Sequence, residues 1–324
     1  MESPQNIKKR LRSVDNINKI TKAMELVAAT KMRKSQEIAL ASRPYAFAAL
    51  EFLAIVSNLD QEKLPKLFEK RAVKRVMFVL VSSDKGLAGA FNSSVFRKFE
   101  LYMKEYNNSK TQEYAGLNLE KEEKFYTAIG QKAFTYLSKK GLNVIKKFVS
   151  VGDFTTLEEV QPITDFLLSG YLDKKWDRVI IISMNFRSAL KQEPHVRRIL
   201  PIDFDHIVAT VKEISPERGK FADLIKEQEI SFVPNKTKLR EFLIEPSAKE
   251  VLEKLANHLF FIQVYHLILE ANASEHSARR MAMKTASDNA LALKEALNLQ
   301  YNKSRQAKIT TEISEISVGA EALN

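Results

Sequence analysis

The sequence of 324 residues contains no cysteine, only nine glycines and a single tryptophan. The absence of cysteine excludes disulfides, cysteine-ligated zinc or iron–sulfur sites and thiol nucleophiles. Long uncharged hydrophobic runs are also missing, because the longest extends over the 15 residues from Leu255 to Leu269, whereas a membrane-spanning helix needs about 20. The opening residues lack the apolar core of a secretory signal. We therefore expect a soluble, intracellular protein.

Familiar catalytic and metal-binding patterns are absent as well. The five histidines show no metal-ligand spacing, and neither H-E-x-x-H nor G-x-S-x-G occurs. The glycine-bearing segment Ser82–Asn92 follows an apolar run, but it lacks the spacing of a phosphate-binding loop. We interpret this segment as a tight turn that presents Lys85, and we expect no catalytic, cofactor or metal site in the chain.

The helix-breaking residues divide the sequence into three parts. No glycine precedes Gly86, and the 72 residues between Pro246 and Gly319 contain neither glycine nor proline, as do the 39 between Pro4 and Pro44. Both stretches are rich in helix formers, so the pattern predicts a long helix at each end of the chain. A helix of 72 residues is about 108 Å long at 1.5 Å per residue, and we therefore expect an elongated molecule.

Residues that favour helix ends flank these stretches. Ser3 followed by Pro4 predicts the start of the first helix. Ser247 and Glu250 have the spacing of a capping box, which predicts the start of the second. Gly319 predicts its end.

Apolar residues recur every three or four positions along both stretches, which predicts a seam with another helix. The members are Ile7, Leu11, Val14, Ile17, Ile20, Met24 and Val27 in the first stretch, and Leu252, Leu255, Leu259, Ile262, Leu269 and Ala273 in the second, with His266 filling the gap. Beyond Ala271 the apolar positions become small, at Ala278, Ala282, Ala286 and Ala290. The simplest arrangement pairs the two helices of one chain, and a coiled coil between two copies is the alternative.

The middle of the chain, about 70 to 240, alternates strands with helices, which predicts a mostly parallel sheet. The predicted strands are Val73–Val81, Phe125–Gly130, Asn143–Phe148 and Arg178–Met184. The predicted helices are Asn92–Tyr106, Gln131–Lys140 and Leu157–Leu172. The polar run Asn107–Lys124 reads as an exposed insertion.

Positive charge dominates the chain, with a net charge of +11, and concentrates on the terminal helices. Residues 1–34 contain nine basic and three acidic side chains, and residues 279–308 contain seven and two. Acidic protein surfaces, nucleic acid and phospholipid headgroups would all be attracted. A basic coiled-coil scaffold that binds nucleic acid or membrane is therefore one functional alternative, and a nucleotide-binding enzyme built on the middle region is another.

Several segments resemble, in order, the gamma subunit of F-type ATP synthases. The last of them, Ile309–Ala322, matches the family signature of Ile/Val-Thr-x-Glu, two residues, an acid, three residues and Gly-Ala. The others are Ile17–Met24, Lys31–Ala41, Ser82–Asn92, Ala273–Glu275, Met281–Asn289 and Tyr301–Gln306.

The resemblance implies a fold of mixed α/β class. Its N- and C-terminal helices, 1–58 and 246–324, form a long antiparallel two-helix coiled coil, and residues 70–240 form a small Rossmann-like α/β foot domain with a mostly parallel sheet. It implies a central-stalk rotor that couples proton translocation to ATP synthesis or hydrolysis. The partners implied are the hexamer of alpha and beta subunits, the epsilon and delta subunits and the c-ring. One copy per complex is expected, without nucleic acid, peripherally at the cytoplasmic face of the bacterial inner membrane.

Matched positions imply contacts with the catalytic subunits at the end of the chain. Arg305, Gln306 and Thr310 match the part of the C-terminal helix that engages a catalytic-subunit loop in the family. Glu315 lies in the same terminal segment, which is implicated in coupling.

Other matched positions lie elsewhere in the sequence. Met24 matches a first-helix methionine near an acidic beta loop, Arg279 matches a coupling position on the other helix, and Lys85 matches the basic position of a motif that reaches beta. Phe242 and Glu245 match the segment that faces the c-ring.

The sequence departs from the family pattern in three ways, one of which is the insertion around 107–124 that makes it longer than many relatives. Ala88 stands where the family usually has cysteine. The cysteine-containing insertion of redox-regulated plastid members cannot be present in a chain without cysteine, so that form of control is excluded.

Overall fold

The computed structural model describes residues 3–41, 65–69, 71–113, 122–151, 154–202 and 248–321. The helices are α1 (Pro4–Ala41), α2 (Phe91–Glu113), α3 (Gln131–Lys139), α4 (Leu157–Leu172) and α5 (Ala248–Glu321), with a 3-10 turn at Lys66–Phe68. The strands are β1 (Arg75–Val81), β2 (Glu123–Ile129), β3 (Val144–Phe148), β4 (Arg178–Phe186) and β5 (Gln192–Leu200). The chain divides into a helical unit, Met1–Thr30 with Ser277–Asn324, and a sheet unit, Lys31–His276.

The sheet unit contains five strands in the order β3-β2-β1-β4-β5. The first four strands are parallel, and β5 runs antiparallel to β4. The predicted mostly parallel sheet is therefore confirmed, and β5 is an addition that the sequence pattern did not reveal. Pro194 lies in β5, which is consistent with the edge position of that strand because proline cannot donate a ladder hydrogen bond.

Both faces of the sheet are covered, which explains why β1 is buried from Val76 to Val81. On one face the ring of Phe78 lies 5.6 Å from that of Tyr106 on α2, edge to face. On the other face Val79 belongs to a hydrophobic cluster that includes α4 and the first part of α5. Members of this cluster are Ile163, Leu167, Phe260, Val264 and Ile268.

The helical unit is an antiparallel pair formed by the beginning of α1 and the end of α5. Ser287 contacts Asn18, and Lys294 contacts Asp15. The residue number therefore falls along α5 as it rises along α1. This confirms that the two ends of one chain pair with each other.

The seam of this pair has a strict heptad spacing, with alternating steps of three and four residues. Its buried or half-buried positions on α1 are Ile7, Leu11, Val14, Asn18, Thr21, Glu25 and Ala28. On α5 they are Met283, Ser287, Ala290, Lys294, Leu297, Tyr301 and Ser304. A repeat of 3.5 residues keeps two helices in register over many turns.

The predicted apolar stripe on α1 is correct at its start and wrong further along. Ile17, Ile20 and Val27 are 51%, 60% and 52% exposed, whereas Thr21 and Glu25 occupy the seam. The prediction followed the large apolar residues, whose mean spacing is shorter than 3.5, so it moved away from the seam. On α5, Ala290 alone of the four predicted small positions is buried, and the other three are half-buried.

Predictions about the helix ends have mixed outcomes. Ser3 Oγ accepts a hydrogen bond from the Asn6 N–H at 3.4 Å, which confirms the predicted start of α1. The predicted stop at Gly319 is wrong, because α5 continues to Glu321; a glycine inside a helix costs only about 1 kcal/mol relative to alanine. The predicted capping box at Ser247 lies outside the described residues.

The predicted insertion 107–124 is helical where it begins and extended where it ends. Helix α2 continues to Glu113, and β2 starts at Glu123. Residues 114–121 lie outside the described part of the chain.

Candidate subunit-contact surfaces

The segment Ser82–Asn92 connects β1 to α2 and holds Lys85 at an exposed position. The N–H of Ser83 donates to Asn92 Oδ1 at 3.1 Å, and its hydroxyl donates to the carbonyl of Lys85 at 2.7 Å. The side-chain amide of Asn92 donates in turn to Ser83 Oγ at 2.7 Å. These bonds fix the loop, and the Lys85 side chain remains in solvent.

The N-terminus of α3 is bonded to the same loop. The N–H of Gln131 donates to Asp84 Oδ1 at 2.8 Å, and the N–H of Ala133 donates to Ser82 Oγ at 2.6 Å. The second carboxylate oxygen of Asp84 accepts from the N–H of Ser150 at 2.8 Å. A phosphate at this helix N-terminus would compete for N–H groups that the protein already uses. The geometry favours the interpretation of a rigid turn.

Two residues beside Lys85 complete the shape of this loop. Leu87 has φ of 63° in the left-handed region and is 62% exposed, although branched side chains rarely adopt that backbone conformation. Ala88, the next residue, is buried. The loop therefore presents a cation and an apolar side chain close together, and the sequence pattern did not single out Leu87.

Met24 and Arg279 both lie in the helical unit and are half-buried. Counted back from the contact between Asn18 and Ser287, residue 24 lies opposite residue 281, two positions from Arg279. The pairing therefore brings these two predicted positions to one level, within a single helical turn of each other.

The other predicted positions of the helical unit lie near the end of α5, where Arg305, Gln306, Thr310 and Glu315 are all exposed. By the same count, Pro4 at the start of α1 lies opposite residue 301. Residues 308–318 are accordingly all exposed.

This terminal segment combines polar and apolar side chains on one helix. The hydroxyl of Thr310 donates to the carbonyl of Gln306 at 3.0 Å, one turn earlier. Ile309, Ile313 and Ile316 are 46%, 62% and 72% exposed and follow a helical stripe. Phe242 and Glu245 lie outside the described residues, and their assignment to the c-ring side stays a prediction.

Charge pairing occurs along the helical unit. Asp15 lies between Lys19, at 2.7 Å, and Lys294, at 2.5 Å. The hydrogen bond from Lys19, then that from Lys294, lowers the pKa of Asp15 to about 2. The carboxylate therefore stays ionised and links the two helices at neutral pH.

Within the described ranges, no cluster of three or more metal-ligating side chains is found. No described helix combines the length and the apolar character that a membrane span requires.

Comparison with known proteins gives one consistent result. A family model described as ATP synthase matches residues 3–323. The chain is 36% identical over 324 residues to the ATP synthase gamma chain of Nitrosomonas europaea, covering all of both proteins. It is 33% identical over 329 residues to the ATP synthase gamma chain of Roseiflexus castenholzii, covering 100% of this chain and 99% of that one.

Solved structures with the same fold are more distant in sequence. The rotor of the Euglena gracilis mitochondrial ATP synthase superposes with a TM-score of 0.57 at 19% identity, covering 94% of this chain and 98% of that chain. The central stalk and c-ring structure of the Tetrahymena thermophila mitochondrial ATP synthase gives a TM-score of 0.56 at 22% identity, with coverage of 83% and 99%.

Proposed function

The chain belongs to the family of ATP synthase gamma chains, and from that premise we propose that it is the central-stalk rotor of a proton-transporting ATP synthase. It turns inside a hexamer of alpha and beta subunits, and its rotation changes the shape of the beta sites. Proton flow through the membrane sector is thereby coupled to ATP synthesis or hydrolysis. The catalytic sites belong to the other subunits, and one copy of this chain is bound peripherally at the cytoplasmic face of the bacterial inner membrane.

The observation that carries this proposal is the antiparallel seam of the helical unit. A shaft that transmits torque must resist twisting and bending, and two helices packed together over three heptads are stiffer than one. Contacts between Asn18 and Ser287 and between Asp15 and Lys294 tie the helices together.

The exposed side chains of the shaft suit contacts that form and break during rotation. Arg305 and Gln306 would engage a catalytic-subunit loop, with Thr310 and Glu315 further along the same helix. Met24 would lie near an acidic beta loop at a second level, and Arg279 would make a coupling contact with the catalytic subunits from the other helix. Exposed salt bridges contribute only about 0–1 kcal/mol each, so such pairs can be exchanged at every step.

The sheet unit supplies a separate contact and the foot. Lys85 is exposed on a loop fixed by Ser83 and Asn92, and its cation would meet acidic residues of beta. The foot domain, residues 70–240, would bind the epsilon subunit, and Phe242 and Glu245 would face the c-ring. The delta subunit completes the set of partners.

Charge reversal of the two cations tests the proposal. Membrane vesicles that contain the complete ATP synthase would carry Lys85→Glu, Arg305→Glu or both. ATP-driven proton pumping would be measured against ATP hydrolysis in the same vesicles. We expect the double variant to lose more pumping per ATP hydrolysed than either single variant, because two separate contacts are weakened.

Lys139→Glu provides the matched control, since Lys139 is exposed at the far end of α3 from the Lys85 loop. Its ratio of pumping to hydrolysis should equal that of the unmodified complex. An unchanged ratio in the double variant would contradict the assigned contacts.

A further inference from the structure

A cleft of about 380 Å³ opens where strands β1, β2 and β4 begin. This is the edge of the sheet at which the parallel strands begin. The loop that holds Lys85 lies at the other edge, where β1 ends. We propose that this cleft, the Trp176 cleft, binds a small amphiphilic carboxylate, whose aromatic or branched apolar body packs on the floor while its carboxylate faces Arg75.

Aromatic side chains form the floor. The indole of Trp176 is 2% exposed, and its N–H donates to the carbonyl of Leu167 at 3.0 Å. The ring of Phe166 lies 5.3 Å from that of Trp176 at an angle of 52°. Phe125 and the 45% exposed Ile145 also line the cleft. Apolar and aromatic linings of this kind are typical of small-molecule sites.

The floor is held rigidly by a glycine. A Cβ atom on Gly170 would lie 1.8 Å from Cζ2 of Trp176, so the indole packs directly on the backbone of α4. The hydrogen bond to Leu167 fixes the ring in its plane. A preformed site of this kind binds its ligand without first having to order its own side chains.

Positive charge dominates the rim. The backbone N–H of Arg75 donates to Asp177 Oδ2 at 3.0 Å, and the N–H of Asp177 donates to the carbonyl of Arg75 at 2.7 Å, which fixes the base of the arginine. In the part of the chain that the structure describes, the Arg75 guanidinium forms no salt bridge. Its planar donor geometry matches a carboxylate.

Other charges near the cleft reinforce this sign. Lys175 lines the cleft and pairs with Asp173 at 3.2 Å, but both side chains are exposed, so the pair can be exchanged at little cost. The ammonium of Lys146 lies 4.9 Å from the centre of the Phe166 ring. Glu123 is the one carboxylate of the lining. Among the residues that line the cleft, Arg75 and Lys175 therefore outnumber Glu123, and this net positive charge favours an anionic ligand.

The size of the cleft limits the ligand. A volume of about 380 Å³ is near the lower end of the roughly 300–1,000 Å³ range of small-molecule sites. One aromatic ring with a short carboxylate chain is therefore a suitable probe, and 3-phenylpropionate has this composition.

The only tryptophan of the chain lies in the cleft, so 5-fluorotryptophan labels the site alone. Fluorine NMR of the full chain would follow titrations with 3-phenylpropionate, with the neutral 3-phenylpropanol and with the cationic 3-phenylpropylamine. We expect a saturable shift of the fluorine resonance with the carboxylate. Its Kd should be at least about tenfold lower than that of the amine, because one ionic contact contributes a free energy of about that size.

Variants separate the contribution of charge from that of the floor. Arg75→Gln should weaken binding of the carboxylate about tenfold and leave binding of the alcohol unchanged. Lys132→Gln, an exposed lysine at the start of α3, should change neither. If the Arg75→Gln variant does not give the fluorine resonance of the folded chain, Lys175→Gln is titrated in the same way. The loss of affinity for the carboxylate should then be smaller, because Lys175 is already paired with Asp173.

The ligand series decides the question even without variants. A fluorine resonance that stays in place at millimolar 3-phenylpropionate would overturn the proposal. Equal affinities for the carboxylate, the alcohol and the amine would overturn it as well.

Discussion

Ser287 on α5 donates a hydrogen bond from Oγ to Oδ1 of Asn18 on α1, across 2.6 Å. Both residues occupy positions of the heptad seam, where apolar residues are the usual occupants. A polar pair inside a seam is satisfied in one register only, because a shift by one turn leaves both groups without each other. This bond therefore specifies how the two ends of the chain align.

The first prediction is that Asn18 and Ser287 are energetically coupled. Ser287→Ala should lower the free energy of local opening of α1 by about 1 kcal/mol, because the amide of Asn18 loses its partner. The double variant with Asn18→Ala and Ser287→Ala should lose less free energy than the sum of the two single losses. We expect the difference to be about 0.5–1.5 kcal/mol. Hydrogen exchange of backbone amides in residues 11–28 measures these values.

Asn16→Ala serves as the control for this cycle, since Asn16 is exposed on the same helix. Its effect should add to that of Ser287→Ala within about 0.5 kcal/mol. Additive losses for Asn18 and Ser287 themselves would show that the bond does not set the register.

The second prediction concerns the contact between α4 and Trp176. Gly170→Ala should destabilise the sheet unit by about 2 kcal/mol or more, because the new methyl group would overlap the indole ring and overpacking outweighs the gain in helix propensity. Urea unfolding followed by the fluorescence of Trp176 measures the change. Gly86→Ala, which meets nothing within 4 Å, should stay within about 0.5 kcal/mol of the unmodified chain. Equal stabilities of the two variants would contradict the packing described.

The third prediction is a dependence of stability on pH that originates at His195. This imidazole lies 3.4 Å from Ser183 Oγ on the neighbouring strand. Burial, reinforced by the charge of Arg197, lowers its pKa to about 3 from an ordinary value of 6.5. Between those two values the unfolded chain binds a proton that the folded chain does not. The free energy of unfolding therefore includes the full contribution of neutral His195 above pH 6.5. This contribution is lost as the pH falls toward 3.

His195→Gln should remove this contribution. In the unmodified chain, the free energy of unfolding should fall between pH 6 and 4 with an added slope of up to about 1.4 kcal/mol per pH unit. Fluorescence of Trp176 during urea unfolding at a series of pH values measures the slope. The control is His258→Gln, at an exposed histidine. The pH dependence of its free energy of unfolding should be the same as that of the unmodified chain. A slope that His195→Gln leaves unchanged would contradict the assignment.

Sequence patterns predicted the parallel core well. Strands β1 and β4 are covered on both faces, and such strands read as nearly continuous apolar runs. Helix α4 has the predicted limits, Leu157–Leu172, and a capping box at Thr156 and Glu159 stabilises its start.

Features that depend on distant partners were not predictable from local patterns. Strand β5 contains Pro194 and charged residues, and its pairing with β4 overrides a weak strand signal. The seam position of Glu25 follows from the heptad register and not from its polarity. Asp84 joins Gln131 and Ser150, which are 47 and 66 residues away in the sequence. Exposure of Lys85 was predicted, but the scaffold that holds it was not.

The central claim, that the two ends of one chain form a single shaft, can be tested directly. Because the chain contains no cysteine, Asn18→Cys and Ser287→Cys would introduce its only two thiols, at side chains that are already in contact. Oxidation of the assembled ATP synthase should form a crosslink within this chain and leave ATP hydrolysis and ATP-driven proton pumping unchanged, since the paired helices turn together. Failure of the crosslink to form, or pumping that is lost on oxidation and regained on reduction, would contradict the account.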